Sequence, residues 1–189
     1  SKITMVMEEA LDNADLINIV IPSFAHELFF EEMIPHLRYG QTVIIWAGDF
    51  GSIQLVNLLR EKCPGKKIFV AETNTLAYGA RIRPEGWIDW HVFAPKILLS
   101  ALPATDTVKV VGIAKDIWPR LMAADNVIAA ALSNPNPLCH PPGALLNTGR
   151  IQYSKGEFYM YKEGITEAVA RVIKSVYEET LALAEALDS

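Results

Sequence analysis

The residues best suited to chemistry lie in one proline-rich stretch, residues 134–151, which reads NPNPLCHPPGALLNTGRI. His140 can serve as an acid and a base near neutral pH, because imidazole has an unperturbed pKa of about 6.5. Asn136, four residues earlier, could hydrogen-bond a substrate carbonyl or carboxylate. Asn147, seven residues later, could hold the stretch in place. The stretch therefore predicts a site that moves protons on a bound polar substrate.

The prolines of this stretch predict a rigid, extended backbone followed by one short helix. Pro142 suits the first turn of that helix and Gly149 suits its end, which gives about two turns with Asn147 among them. Proline disfavours helical geometry in the residue before it. Three residues are therefore predicted to be extended: Asn134, Asn136 and His140.

The other histidines and the two cysteines predict no second site. In an extended segment, Cys139 and His140 would point to opposite sides and could not form a nucleophile–base pair. Cys63 and Cys139 alone make neither a disulfide framework nor a metal site, so we expect no metal and a reducing, cytoplasmic setting. His26 and His36 lack metal-ligand spacing, and we expect them at a helix cap or on the surface.

Alternating strands and helices must position these residues. Apolar patterns predict strands at 16–22, 41–46 and 66–71, with helices at 24–37 and 52–62. Such alternation is typical of βαβ units in a doubly wound parallel sheet. Strand 16–22 is apolar at nearly every position, which indicates burial on both faces.

The rest of the chain predicts a change of architecture near Ser133. Before it we expect two further strands and one helix, at 87–94, 96–101 and 105–118. After it we expect a hairpin near 151–161 and a long helix over about 166–187 with an apolar stripe. The predicted fold class is α/β: a partial doubly wound, Rossmann-type sheet in residues 1–133, followed by the start of an all-helical domain in residues 134–189.

One turn at the carboxyl end of a predicted strand is a candidate for cofactor binding. Pro22, Ser23 and Phe24 follow strand 16–22, at the edge where ligands bind in open α/β sheets. An ordinary capped helix start is an equal alternative for this segment.

Charged residues after strand 66–71 are candidates for substrate binding. Glu72 lies at the carboxyl edge and could give an ammonium group its counter-charge, although a solvated strand end is the alternative. Arg81 and Arg83 could grip a substrate carboxylate, although exposed arginine pairs are commoner, and we favour Arg81 less than Glu72.

Composition narrows the classes of partner. The net charge of −5 and the pI of about 5.4 leave no basic surface for nucleic acid or an anionic membrane. No apolar run reaches the ~18 residues that span a bilayer, and the first residues lack the layout of a signal peptide. We therefore expect small-molecule substrates.

Two features predict that the sequence is an internal segment of a longer enzyme. The G-x-G-x-x-G turn that holds a dinucleotide pyrophosphate is absent. Strand 16–22, as the fourth strand of a classical order, would lack its neighbour, and the stripe of the last helix would lack partner helices. Expressed alone, residues 1–189 are expected to aggregate or to form a homo-oligomer.

The motifs are similar to one known family. Asn136 followed by His140 and Pro141 resembles the start of the catalytic domain of the opine dehydrogenases, also called octopine and nopaline dehydrogenases. The similarity continues through GALLNTGRI and FYMYKEGIT, which ends at Thr166, and upstream through AETNTLAYGARI from Ala71. It covers most of the chain.

This resemblance implies a reaction and roles for the candidate residues. The reaction would be NAD- or NADP-dependent reductive condensation of an amino acid with a 2-oxo acid such as pyruvate. His140 would be the acid–base residue, with an aspartate partner beyond residue 189, and Glu72 would bind substrate. The turn at Pro22 would run along the cofactor. A related nicotinamide-dependent 2-hydroxy-acid or polyol dehydrogenase remains open, as does a non-catalytic binding or oligomerisation fragment.

Overall fold

The computed structural model describes residues 3–189 and divides into two compact units. The first unit ends at Ser133 and the second comprises residues 134–189. Their assignment to the second half of a dinucleotide-binding domain and to the start of a helical domain stays a prediction.

A five-stranded sheet, mainly parallel, forms the centre of the first unit, and a two-stranded sheet lies beside it. The strands are β1 (Leu16–Ile19), β2 (Thr42–Ile45), β3 (Phe69–Thr73), β4 (Tyr78–Ile82), β5 (Ile88–Phe93), β6 (Ile97–Leu102) and β7 (Leu121–Ala123). The larger sheet has the order β1-β2-β3-β6-β7. All its pairs are parallel except β3 with β6. A crossover helix is unnecessary between antiparallel neighbours, and the chain makes the hairpin β4–β5 there instead.

Helices cover both faces of the larger sheet. They are α1 (Met7–Leu11), α2 (His26–Met33), α3 (Gly51–Lys62), α4 (Thr107–Ala114) and α5 (Val127–Leu132). Alternate residues of β2 lie on opposite faces of the sheet. Val43 and Ile45 pack with α2 and α3, whereas Ile44 packs with α4. Full burial of such a side chain contributes about 1.5–3 kcal/mol. The α/β, Rossmann-type fold class is confirmed.

Strand β1 is buried on one face only, so the prediction of burial on both faces is wrong. Ile17 and Ile19 are buried, but Asn18 between them is exposed and its Oδ1 accepts a hydrogen bond from Trp46 Nε1 at 2.9 Å. The helix that covers this face of the sheet, α4, contacts β3, β6 and β7, whereas β1 lies at the opposite edge of the described sheet.

Other departures in the first unit concern short elements. Strands β4 and β7 and helix α5 were not predicted, and the helix expected at 105–118 is limited to α4. The register of the hairpin places apolar residues on one face: Tyr78, Ala80, Ile82, Ile88, Trp90 and Phe93. Within this set Ile82 is 85% exposed.

The second unit is helical. It contains α6 (Asn136–Leu145), α7 (Thr148–Tyr153), a π-helical turn (Met160–Gly164) and α8 (Glu167–Ala186). The long final helix is confirmed, and its first free N–H groups are capped by Thr166, whose side chain accepts from Val169 N–H. The hairpin predicted near 151–161 is wrong, because α7 ends at Tyr153, the π-helical turn begins at Met160, and the residues between them form no strand. None of the helices in residues 3–189 is both long and apolar enough to span a membrane.

Candidate active site

The proline-rich stretch forms helix α6 and is not extended. Pro137 lies in the first turn, where no backbone N–H is needed, but Pro141 and Pro142 are inside the helix. An interior proline costs a helix about 3 kcal/mol. Pro142 and Gly143 are buried, and α6 packs on α8. Tertiary packing therefore overrides the local preference of the prolines, and the predicted short helix from Pro142 to Gly149 is wrong.

The helical conformation still brings Asn136 and His140 together. Residues four apart lie one turn above each other on the same helix face. Both side chains are partly exposed. Cys139 projects in a different direction, about 100° around the helix from His140. The side chains of Cys139 and His140 therefore point in different directions because the segment is helical, and not because it is extended.

His140 has a partner that the sequence analysis did not identify. Its Nε2 lies 2.5 Å from the hydroxyl oxygen of Tyr161 in the π-helical turn. The two rings are 6.1 Å apart between centroids and are inclined by 60°. Tyr161 belongs to the FYMYKEGIT motif, but its separation of 21 residues from His140 does not indicate that the two side chains meet.

Asn147 lies between α6 and α7 and joins two backbone segments. Its Nδ2 donates to the carbonyl of Gly143 and to the carbonyl of Gly164, both at 2.9 Å. One side chain therefore ties the end of α6 to the π-helical turn that carries Tyr161. This geometry supports the expectation that Asn147 holds the stretch in place.

In the first unit, Pro22, Ser23 and Phe24 lie at the carboxyl end of β1, as the strand pattern indicates. Ser23–Ala25 forms a single 3-10 turn, closed by a hydrogen bond from Ala25 N–H to the Pro22 carbonyl. The ring of Phe24 is 89% exposed. The turn therefore presents an open apolar ring at the edge of the sheet where ligands bind in such folds.

A strained loop, residues 47–50, follows β2 at the same edge. Ala47, Asp49 and Phe50 have φ values of 51°, 46° and 70°, which are uncommon for residues with a side chain. Thr73 holds the beginning of the loop: its hydroxyl accepts from Ala47 N–H, and its carbonyl accepts from Gly48 N–H. No pattern in the sequence analysis predicted this loop.

Glu72 holds the end of the loop. Its carboxylate is fully buried and accepts from the N–H groups of Phe50 and Ser52, at 3.2 and 2.9 Å. The Ser52 hydroxyl lies close by without a well-formed hydrogen bond. Glu72 therefore caps α3, where a negative charge is favourable. Direct contact of Glu72 with substrate stays a prediction, and the geometry favours an indirect role because both oxygens already accept hydrogen bonds inside the protein.

Burial governs the ionisation of Glu72. It raises the pKa of the carboxyl above the ordinary value of 4.5, and the negative charge of Asp49 acts in the same direction. The side chain and N–H of Ser52 and the N–H of Phe50 oppose the shift. Gly48 allows this close packing, since a Cβ there would lie 2.5 Å from Glu72 Cβ.

His26 is buried, so the expectation of a cap or surface position is wrong. Its exposed fraction is 2%, and its ring stacks on Phe30 with centroids 5.1 Å apart. Burial lowers the pKa of His26, against the opposing effects of Asp49 and of a hydrogen bond to the Ile21 backbone. Its Nε2 has no hydrogen-bond partner within residues 3–189.

Arg81 and Arg83 lie on the hairpin and its turn. Arg81 Nη1 donates to the adjacent Ala80 carbonyl, and Arg83 pairs with Asp89 at 2.5 Å. The guanidinium of Arg81 has no ion pair in the described part of the chain and is open to an anion.

A protein-family model matches the last part of the chain, which includes the whole second unit. Residues 123–189 match the family model of the NAD/NADP octopine/nopaline dehydrogenase alpha-helical domain. The resemblance to the opine dehydrogenases is confirmed. The matched range contains helix α6, His140 and Tyr161.

Two opine dehydrogenases extend the similarity over almost the whole chain. That of Arthrobacter sp. (strain 1C) is 28% identical over 180 residues, which are 95% of this chain and 50% of the relative. That of Haliotis discus hannai is 24% identical over 201 residues, with 98% and 47% covered. The chain spans about half the length of the curated relatives it matches.

Solved structures of opine dehydrogenases share the fold. An octopine dehydrogenase structure with NADH and pyruvate has a TM-score of 0.67 at 20% identity, over 97% of this chain and 48% of that one. A yersinopine dehydrogenase with NADP+ has a TM-score of 0.65 at 16% identity, over 86% and 42%. At these identities the similarity concerns the fold alone.

Proposed function

We propose that the protein carrying this chain is an NAD(P)H-dependent opine dehydrogenase. The reaction condenses the amine of an amino acid with the carbonyl of a 2-oxo acid such as pyruvate, and the resulting imine is reduced to a secondary amine. The observation that carries the proposal is the match of residues 123–189 to the family's helical domain, with His140 on the surface of that unit.

His140 moves the protons of this reaction. When the amine attacks the carbonyl, one proton must pass from nitrogen to the carbonyl oxygen, and a second proton from solvent must reach the resulting hydroxyl before it departs as water. An imidazole ring nitrogen can take the first proton and return it to the departing oxygen. Asn136, one helical turn away, hydrogen-bonds the carbonyl or carboxylate of the 2-oxo acid and orients it. Asn147 keeps both residues in place through its bonds to Gly143 and Gly164.

The residues at the carboxyl end of β1 fit one part of a nicotinamide cofactor. Bound NAD(P)H supplies the hydride. The exposed ring of Phe24 suits contact with the flat nicotinamide, and the Pro22–Ser23 turn holds that ring in position. The sequence has no G-x-G-x-x-G turn to bind the pyrophosphate. The turn at Pro22–Phe24 is therefore suited to contact the nicotinamide half of the cofactor.

Glu72 and Arg81, the two charged candidates, have different roles in the proposed function. Glu72 acts indirectly, by fixing the loop 47–50 at the carboxyl edge of β2. Arg81 forms no ion pair within residues 3–189, and its guanidinium can bind a substrate carboxylate in bidentate fashion. The partners are small molecules, and a homo-oligomer and a cytoplasmic location stay parts of the proposal.

A two-substrate assay tests this function. The natural full-length protein is incubated with NADH or NADPH and pyruvate, with and without each of a panel of amino acids. Oxidation of the cofactor that requires both substrates, with a secondary-amine dicarboxylate as product in mass spectra, is expected. Equal oxidation without an amino acid would instead show a 2-hydroxy-acid dehydrogenase.

A further inference from the structure

A cleft of about 330 Å³ lies in the first unit, at the opposite end of β3 from Glu72. The last two turns of α3, the turn at residues 63–67 and the end of β6 surround it. Its apolar lining consists of Val56, Leu59, Ile68, Leu102 and Pro103. This volume equals that of about 11 water molecules in the liquid, and pockets that bind small molecules begin near ~300 Å³. The cleft therefore has the size and the apolar surface to hold a small organic molecule.

The turn on one side of the cleft is fixed by its sequence. Pro64 and Gly65 are its middle residues, and Gly65 has a φ of 89°, which a residue with a side chain rarely adopts. Lys66 N–H donates to the Cys63 carbonyl at 3.1 Å and closes the turn. This hydrogen-bonded turn gives the cleft a preformed wall.

The charged lining of the cleft is cationic. It comprises Arg60, Lys66 and Lys67, and none of the described lining residues is acidic. Lys67 is neutralised by Asp106, since its Nζ lies 2.6 Å from Oδ2 of that residue. Lys66 Nζ donates to the carbonyl of Leu37 at 2.8 Å, which is an uncharged partner. Within residues 3–189, Arg60 and Lys66 therefore border the cleft as positive charges without a carboxylate partner, although the chain as a whole has a net charge of −5.

Arg60 has N–H donors available for a ligand. Its guanidinium has no hydrogen bond or ion pair with another group in the described part of the chain. The next basic residue of α3, Lys62, pairs with Glu31 and is not in the lining. Glu61 projects about 100° around the helix from Arg60 and is not in the lining either. A guanidinium beside an apolar surface matches a carboxylate that carries hydrocarbon.

We propose that this cleft binds a small organic carboxylate. The carboxylate accepts hydrogen bonds from Arg60 and from Lys66, whose ammonium has further donors besides the one bound to Leu37. The hydrocarbon part lies on the apolar lining and contributes affinity in proportion to the area removed from water. The two cations select the anion and repel an amine of the same size. Binding at this cleft requires no part of the proposed reaction.

Cys63 reports on the occupancy of the cleft. Its thiol is free and half-buried and belongs to the lining, so an occupant should slow its alkylation by iodoacetamide. Peptide mass spectrometry follows this rate in the natural full-length protein with hexanoate, 1-hexanol or hexylammonium added. Hexanoate should slow the reaction saturably, with a half-effect at millimolar concentration, as suits so small a ligand. Hexanol should protect Cys63 less, and hexylammonium should not protect it.

Two variants separate binding in the cleft from a general effect of charge. Arg60→Gln should raise the hexanoate concentration for the half-effect about 3-fold, as loss of one partly exposed ion pair does. Arg38→Gln, the same change at an exposed arginine outside the lining, should leave it unchanged. Absent protection, or equal protection by hexanoate and hexanol, would overturn the inference. An unchanged half-effect in Arg60→Gln would also overturn it, since Arg60 would then only offset the negative end of the α3 dipole.

Discussion

Glu72 accepts a hydrogen bond from the backbone N–H of Ser52 at 2.9 Å, so a fully buried carboxylate caps helix α3. Its second oxygen accepts from Phe50 N–H, within a loop that contains three residues of positive φ. The same side chain therefore satisfies backbone N–H groups at the buried start of α3 and in the loop before it.

Replacing Glu72 with glutamine should weaken this cap. A glutamine amide offers one acceptor oxygen and one NH2 group, which can only donate, so one of the two backbone donors would lose its partner. We expect the free energy of unfolding to fall by about 1–2 kcal/mol, the usual cost of a lost cap. Chemical denaturation of Glu72→Gln is compared with Glu61→Gln, the same change on the exposed face of α3. Equal losses in the two variants would contradict the capping role.

The ionisation of Glu72 predicts the pH dependence of that stability. Its pKa is raised in the folded state, so its contribution is fully present below 4.5 and is lost as pH rises through the raised pKa. Plotted against pH, the difference in unfolding free energy between wild type and Glu72→Gln should therefore decline above pH 4.5. A difference that grows in this range would mean that the pKa is shifted the other way.

His26 should give a pH dependence of opposite sign. Its pKa is lowered by burial, so its contribution is present above 6.5 and is lost as pH falls through the lowered pKa. Unfolding free energies measured from pH 7.5 down to 5 should fall in the wild type and stay flatter in His26→Leu. His91→Gln, at an exposed histidine, serves as the control and should follow the wild type. Parallel curves for His26→Leu and wild type would refute this assignment.

Asn147→Asp should destabilise the second unit. The change removes both N–H donors and places a carboxylate beside the carbonyl oxygens of Gly143 and Gly164. The expected loss in unfolding free energy is about 2–3 kcal/mol, because two buried acceptors lose their partner. Gln152→Glu makes the same amide-to-acid change at an exposed position of α7. Equal melting temperatures for Asn147→Asp and Gln152→Glu in thermal denaturation would exclude the proposed tie between α6 and the π-helical turn.

The exposed apolar face of the hairpin should promote self-association of residues 1–189 when expressed alone. Ile82 and Ile88 face the same side and are 85% and 60% exposed. Large exposed apolar patches are uncommon in monomers. Ile82→Lys should shift the sedimentation profile toward smaller species, whereas Glu85→Lys in the adjoining turn should not. A monodisperse wild-type monomer would show that this face does not associate.

Strong periodic patterns predicted most of the fold. The strand and helix patterns of residues 41–71 correspond to β2, α3 and β3, and the stripe after Thr166 corresponds to α8. The extended conformation predicted for the proline-rich stretch was wrong because the local preference of proline disfavours a helix there, whereas burial of Pro142 and packing on α8 favour one. Strand β4 was missed because Gly79 and Arg81 weaken its pattern.

The candidate site was predictable only in part. Asn136 and His140 were singled out by their residue types and by the resemblance, and on helix α6 their spacing of four places them on one face. Tyr161 was not, since only the folded turn brings it to His140. Glu72 was placed at the right edge of the sheet, but its burial depends on the loop 47–50, whose positive φ values leave no clear pattern in the sequence.

The measurement closest to the central claim is the turnover of His140→Ala in the natural full-length protein. Amino-acid-dependent oxidation of NADH with pyruvate should fall by about 10²–10⁴-fold in kcat, the usual contribution of a positioned acid–base group, while the Kd for NADH stays nearly unchanged. Cys139→Ala, at the neighbouring position of α6, should keep wild-type turnover. Turnover of His140→Ala at the wild-type rate, with an unshifted pH–rate profile, would contradict the account.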